Sequence, residues 1–497
     1  MPNATIEELR SALALGKINS RLLIKQYQER IAKYSDAGPK INAIAELNPD
    51  ALSIAEERDT QRQAGSLLGP LHGIPILIKD NIDTGDKMQT TAGSLALVGN
   101  YAREDAFVVK QLRAAGAIIL GKTNLSEFAN YISSRLPNGY SSRGGQVLNP
   151  YGLNFDPSGS SSGSGAAATA SFAAAAVGSE TSGSILSPSN DQSLVGIKPT
   201  LGLISRTGII PIAHSQDTAG PMARTVSDAA ILLGAMTGVD PADPATAASA
   251  GKALTDYTLF LKTDGLKGMR LGIPRRGFFD SKKEKADYLV VERAIRVLKA
   301  QGAMIVDPAE IPDAKQVNRL DYTVLDYEFK SDLNAYLAAH PQAPVHSLAE
   351  IIAFNKAHAK TALRYGQDIL IGSERIVHDA KAENRYRRQR ALDLRLSRTE
   401  GLDAVMNRYQ LDAVIFAMSN GADIGARAGY PTIIVPAGYR EDGHPVGISF
   451  LGRAWSEGKL IQIAYAFEQA SKFRRPPALS AAKYGCRYGQ PKPCKKP

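Results

Sequence analysis

Three groups of residues carry the types that nucleophilic chemistry needs. The runs Ser158-Gly159-Ser160-Ser161-Ser162-Gly163-Ser164-Gly165 and Gly178-Ser179-Glu180-Thr181-Ser182-Gly183-Ser184-Ile185 offer hydroxyls on a backbone of small residues, and Lys79 closes the apolar run Leu77-Ile78. A serine attacks a poor electrophile only with a base beside it and with donors aimed at the oxygen that gains charge. Ser184 follows Gly183 in a turn where the N–H groups of Thr181, Ser182, Gly183 and Ser184 can converge on one oxygen. Lys79 must be neutral to accept a proton, and desolvation beside Ile76 and Ile78, with hydrogen bonds to hydroxyls, favours that form. Taken singly, a Gly/Ser run reads as a linker and a strand-ending lysine as solvent-facing. Between the two runs, however, Ala166 to Val177 are nearly all small, which predicts a close-packed helix that no linker needs.

Positioning these groups falls to alternating elements. Thr5 and Glu8 form a capping-box pattern, and the first 35 residues read as two helices divided near Gly16. A helix is expected over 51–63, a strand over 74–78, a helix over 106–115 and a strand over 117–120. The pattern recurs downstream, with a strand at 269–274, a helix at 288–302 and a strand at 303–306. Residues 325–405 read as a helical, polar cover. Strands return at 411–416, 432–435 and 446–451, and a helix over 457–471 closes the domain. Such alternation predicts an α/β fold with a central, mostly parallel mixed sheet covered by helices.

The ordered trio resembles the amidase signature family, in which a lysine after an apolar strand precedes a PGGSSGGS-like run and a GTDTGGSI-like turn. The resemblance extends over roughly residues 5–475. It includes Gly69-Pro70-Leu71-His72-Gly73-Ile74-Pro75, Gly121-Lys122-Thr123-Asn124, Ser215 to Arg224 (SQDTAGPMAR), and Ala428-Gly429-Tyr430-Pro431. It implies one large domain over 1–480, with a signature core at about 70–225, followed by a basic tail over 481–497. It also implies an amide-cleaving hydrolase with no cofactor and no metal, most similar to peptide amidases and aryl acylamidases of bacteria. Ser184 would be the acyl-accepting nucleophile, Ser160 the proton carrier after a cis peptide at Gly159-Ser160, and Lys79 the base. Thr181, Ser182 and Gly183 would form the oxyanion hole. The substrate would be a small-molecule or peptide amide. The alternative is an amidotransferase A-type component that releases ammonia within a complex.

Two literal motif matches compete and lose on context. Gly116 to Thr123 satisfies the P-loop expression, yet Ala117 to Leu120 is an apolar strand where a phosphate cradle needs a polar loop. Gly159-Ser160-Ser161-Ser162-Gly163 satisfies GxSxG and would nominate Ser161, but Tyr151 to Pro157 before it is no buried strand. Neither His72 nor His214 sits in a triad motif, so packing or pocket-lining roles are expected.

The net charge of +10 invites a nucleic-acid reading, but Arg385 to Arg390 is interleaved with acids at helical spacing, which reads as a solvated face. Cys486 and Cys494 do not fit a zinc site, and their pairing is left open. Without an apolar run of about 18 residues no membrane span is expected. The N-terminus shows no signal peptide, so the sequence reads as cytoplasmic, with export of a longer precursor left open. Oligomeric state is not legible. Several positions depart from the family pattern: Ser158, Ser162 and Ser182 stand where glycine is frequent, and Leu186 where many members carry arginine. The last favours an uncharged or apolar acyl group.

Overall fold

Ile76, Leu77 and Ile78 leave strand β2 (Pro75–Lys79) no polar face, so it is buried on both sides and needs a neighbouring strand at each edge. A computed structural model, which describes residues 3–317, 319–479 and 487–489, shows those neighbours. They are β3 (Ile118–Thr123) and β6 (Ala175–Glu180), both parallel to β2. The other strands, in chain order, are β1 (Ile44–Leu47), the short β4 (Tyr140–Ser141) and β5 (Gly145–Gln146), β7 (Val195–Lys198), β8 (Thr218–Ala223), β9 (Arg270–Gly272), β10 (Met304–Val306), β11 (Ala413–Ala417), β12 (Thr432–Tyr439) and β13 (Pro445–Leu451). All but β4 and β5 form one sheet in the order β1-β3-β2-β6-β8-β7-β12-β13-β11-β9-β10. The chain is therefore an α/β protein built on a single mixed sheet of eleven strands with helices around it.

Parallel pairing falls in two blocks, β3-β2-β6 and β11-β9-β10, and these contain the two strand-helix-strand units that the alternation predicts. The strands between the blocks pair antiparallel. The Thr5–Glu8 capping box is made in full, and the helices Ala51–Gln63 and Glu457–Ser471 have the expected limits.

Three expectations need correction. The small-residue run 166–177 is not one helix: the helix Ser162–Thr169 ends there, and Ala175 to Val177 belong to β6. Alanine permits both states, and pairing with β2 decides the second. The cover over 325–405 is helical but not merely polar. Leu325, Phe329, Leu333, Leu337, Leu348, Ile351 and Leu370 pack into an apolar cluster of its own with Phe128 and Tyr131. Nor is all of the basic stretch a solvated face. Arg387 pairs with Glu383 at the surface, but Arg390 donates to the carbonyls of Arg427 and Ser215.

The tail 481–497 and both cysteines lie outside the described residues except for Arg487–Gly489, where Tyr488 N–H donates to the Leu153 carbonyl and its hydroxyl to Asp156. Among the described residues no helix is long and apolar enough to cross a membrane.

Candidate active site

Lys79 is the last residue of β2, and the parallel register that sets Ile78 opposite Val177 brings its side chain to the Gly178-Ser179 end of β6. Its Nζ is fully buried and donates to Ser160 Oγ at 2.7 Å, to Ser179 Oγ at 3.0 Å and to the Ser179 carbonyl at 3.2 Å. Asn81, on the loop after β2, also donates to Ser179 Oγ, at 3.0 Å, which holds that hydroxyl toward the lysine. Burial draws the Lys79 pKa down from 10.5 to about 7, against the opposing pull of the Asp217 and Glu180 carboxylates. At neutral pH a large share of Lys79 is thus free base.

Ser160 stands at the entrance to the helix Ser162–Thr169, after a cis peptide at Gly159-Ser160 of the kind the resemblance implies. The helix is drawn tightly onto the strand ends: a side chain on Gly163 would sit 2.1 Å from the Asn124 carbonyl. Ser160 is fully buried, and its carbonyl accepts the Ser126 N–H at 3.1 Å. The next residue joins this segment to the second run, because Ser161 N–H donates to the Ser184 carbonyl at 3.2 Å. That bond brings the backbone of the two runs together, one residue from Ser160. Ser161 has its own hydroxyl committed, donating to the Ser179 carbonyl at 3.1 Å and accepting the Ser179 N–H at 3.2 Å.

The turn 181–184 follows β6 and is pinned from beneath by Glu180. Its Oε2 accepts the N–H groups of Ile185 and Leu186 at 2.7 and 3.0 Å, so the helix Leu186–Asp191 starts directly behind Ser184. Gly183 takes φ +79°, a conformation that side-chain-bearing residues rarely adopt. Thr181 donates its hydroxyl to Asp217, and its carbonyl accepts from Gln216 at 3.1 Å. Asp217 also accepts the N–H groups of Ile212 and Ala213, and burial lifts its pKa to about 6. Ser182 donates to Asp423, a residue from the far end of the chain. Ser184 is nearly buried, with 7% of its surface exposed. Leu186 packs with Ala422 and Ile434, an apolar contact in place of arginine.

A cavity of about 660 Å³ lies against this group, within the size range of small-ligand sites. Asn81, Ser179, Thr181, Ile210 and Asp217 line it, whereas Lys79, Ser160 and Ser184 do not. It therefore meets this group through the partners of Lys79 and through Thr181.

The competing motifs are accounted for structurally. Lys122 is buried within β3 and donates to the Ile82 carbonyl at 2.5 Å and to Thr90 Oγ1 at 3.0 Å, so no phosphate cradle forms. His72 is buried between Leu68 N–H and the Arg58 carbonyl. His214 lines the cavity and bonds Asp332 at 2.8 Å. With Glu328 these two bring one potential metal-ligating atom each within 4.8 Å of one another. Both carboxylates already accept protein donors: Glu328 from Ser215 N–H and Tyr386, Asp332 from His214 N–H.

Sequence reasoning did not single out Asn81, Ser179, Asp217 or Asp423 for roles. Ser179 and Asp217 lie inside signature segments, and Asn81 is two residues beyond Lys79. Asp423 carries no local signal, because only the return of β11 through β13 brings it to the turn.

The Amidase family pattern matches residues 23–461. A probable amidase of Arabidopsis thaliana is 42% identical over 488 residues, covering 96% of this chain and 92% of that protein. The A component of the glutamyl-tRNA(Gln) amidotransferase from Thermoanaerobacter pseudethanolicus is 33% identical over 510 residues, covering 96% and 99%. The crystal structure of native peptide amidase from Stenotrophomonas maltophilia is similar at a TM-score of 0.90 and 45% identity, covering 96% of this chain and 98% of that one.

Proposed function

We propose that this chain, which belongs to the amidase family and is a hydrolase acting on amides, cleaves linear carboxamides through an acyl-enzyme on Ser184. Its substrate is a peptide C-terminal amide or an aryl or aliphatic amide. Neutral Lys79 accepts the Ser160 proton while Ser160 accepts that of Ser184, and Ser184 Oγ adds to the carbonyl carbon. The N–H groups of Thr181, Ser182, Gly183 and Ser184 stabilise the oxyanion. Collapse breaks the C–N bond as the proton passes back through Ser160 to the leaving nitrogen. Water then attacks the ester, the same chain removes its proton, and the acid departs with Ser184 restored. No metal or cofactor enters these steps. We treat residues 1–480 as the unit that performs them, since one sheet runs from residue 44 to 451.

The observation that carries this reading is the buried Lys79 Nζ to Ser160 Oγ bond of 2.7 Å, made by a lysine whose pKa lies at about 7. Lys122 is likewise buried against a carbonyl and a hydroxyl, but only Lys79 directs its Nζ to a serine of each run, Ser160 and Ser179. The test is ammonia release from amidated peptides and short aliphatic amides, and arylamine release from anilides, by the purified chain alone, without ATP, tRNA or a partner. Ser184→Ala should abolish turnover and Ser160→Ala should lower it by orders of magnitude, with the fold retained in both. Ser161→Ala should be far milder. Turnover that depends on Ser161 and survives Ser184→Ala would overturn the assignment. A requirement for partner and tRNA would favour the amidotransferase role.

A further inference from the structure

Glu328 and Asp332 lie four residues apart in the helix Thr323–Ala339 of the cover, so both carboxylates leave the same face. That face meets the segment that carries His214 and leads into β8. His214 Nδ1 lies 2.8 Å from Asp332 Oδ2 and 3.5 Å from Glu328 Oε2, and the three ligating atoms fall within 4.8 Å of one another. Glu328 has 1% of its surface exposed, yet neither it nor Asp332 pairs with a lysine or arginine among the described residues. Arg390 stands near Glu328 but directs its N–H groups to the Arg427 and Ser215 carbonyls, and Arg206 is held by Asp243 and the His214 carbonyl.

A buried carboxylate is paired or it coordinates a metal ion. The hydrogen bonds already made leave room for an ion. Glu328 takes the Ser215 N–H on Oε2 and the Tyr386 hydroxyl on Oε1, and Asp332 takes the His214 N–H on Oδ2, whereas an ionised carboxylate has about four lone-pair sites. One imidazole with two carboxylates is a donor set for zinc, while magnesium and calcium take oxygen ligands. Tetrahedral bonds of about 2.0–2.2 Å hold ligand atoms about 3.3–3.6 Å apart. The His214–Glu328 distance of 3.5 Å already fits. The His214–Asp332 distance has to open by about half an ångström as the ion replaces the ring's hydrogen bond. His214 is exposed and lines the cavity, which gives an ion a way in and leaves its fourth position to water.

We propose that His214, Glu328 and Asp332 bind one zinc ion, which ties the segment before β8 to the helical cover. The ion takes no part in amide cleavage. The same segment supplies the Ile212 and Ala213 N–H groups to Asp217, and Asp217 in turn accepts the Thr181 hydroxyl. Fixing His214 to the cover therefore fixes the cavity wall beside the turn.

The test is a calorimetric titration of the full chain with Zn²⁺ after treatment with a chelator and dialysis. One equivalent should bind, and saturating Zn²⁺ should raise the thermal unfolding midpoint, because the site exists only in the folded chain. His214→Ala should weaken binding by at least about 100-fold, the upper end of what losing an outer partner of a metal ligand costs, and the midpoint should cease to respond. Asp332→Asn keeps an acceptor for the His214 N–H and so guards against a folding defect; it should weaken Zn²⁺ by at least about tenfold with an unchanged far-ultraviolet circular dichroism spectrum. Co²⁺ reports the ligands, and its spectrum should lack the thiolate charge-transfer band that Cys486 or Cys494 would produce. Ser184→Ala should bind Zn²⁺ as the wild type does, which separates this site from the nucleophile. No saturable equivalent, an equivalent bound as tightly in His214→Ala and Asp332→Asn, a thiolate band with Co²⁺, or binding lost in Ser184→Ala overturns the proposal.

Discussion

Replacing Lys79 by methionine should abolish turnover and, below neutral pH, make the fold more stable. Burial lowers the lysine's pKa from 10.5 to about 7, so the folded protein binds fewer protons than the unfolded chain between these values. Stability therefore rises with pH across that window, and the full cost of the buried amine is present below about 7. A separation from 10.5 to about 7, at about 1.4 kcal/mol per pH unit, corresponds to a cost on the order of 5 kcal/mol in acid. Methionine removes this cost but also removes the donor to Ser160 Oγ, whereas Ser179 Oγ keeps Asn81 and the Ser179 carbonyl keeps Ser161. One orphaned buried hydroxyl costs about 1–3 kcal/mol. The variant should then be about 2–4 kcal/mol more stable than wild type at pH 6 and less stable by about 1–3 kcal/mol near pH 10.5, where the unfolded lysine also approaches neutrality. Urea unfolding followed by far-ultraviolet circular dichroism at the two pH values measures the reversal. A stability difference that is the same at pH 6 and pH 10.5 would show that Lys79 is not held with a lowered pKa, and would remove the base from the mechanism.

The same pKa sets an acidic limb on kcat/KM. Activity should fall about tenfold per pH unit below 7 and level off above it, and Lys79→Arg should not restore turnover because a guanidinium keeps its proton. Near-wild-type rates in Lys79→Arg with an unchanged limb would place the base elsewhere. Asp217→Asn removes a charge that raises the lysine pKa, so the limb should move to lower pH; a shift to higher pH would contradict the electrostatic account.

The proposed trio can be picked out in the sequence because its three pieces lie at ends of locally coded elements. Lys79 terminates an apolar strand, Ser160 precedes a helix of small residues, and Ser184 follows a glycine that must take positive φ. What the sequence hides is set by long-range pairing. Ala175 to Val177 continue a helical composition and become strand only because β2 needs a partner on that edge. The strands β7 and β8 carry glycine, proline and threonine in place of a clear apolar run, and their burial comes from sheet neighbours. Asp423 meets Ser182 across 241 residues of chain, so only the fold brings its carboxylate to the turn.

The central claim is that the acyl group resides on Ser184 before water releases it. Wild-type protein reacting with a good amide substrate, quenched in acid and digested, should yield a peptide containing Ser184 that carries the mass of the acyl group. Hydroxylamine should divert part of the product to hydroxamate, and a fluorophosphonate should modify the same serine. Labelling of Ser161 in place of Ser184, or the absence of any adduct and any hydroxamate during rapid turnover, would contradict the account.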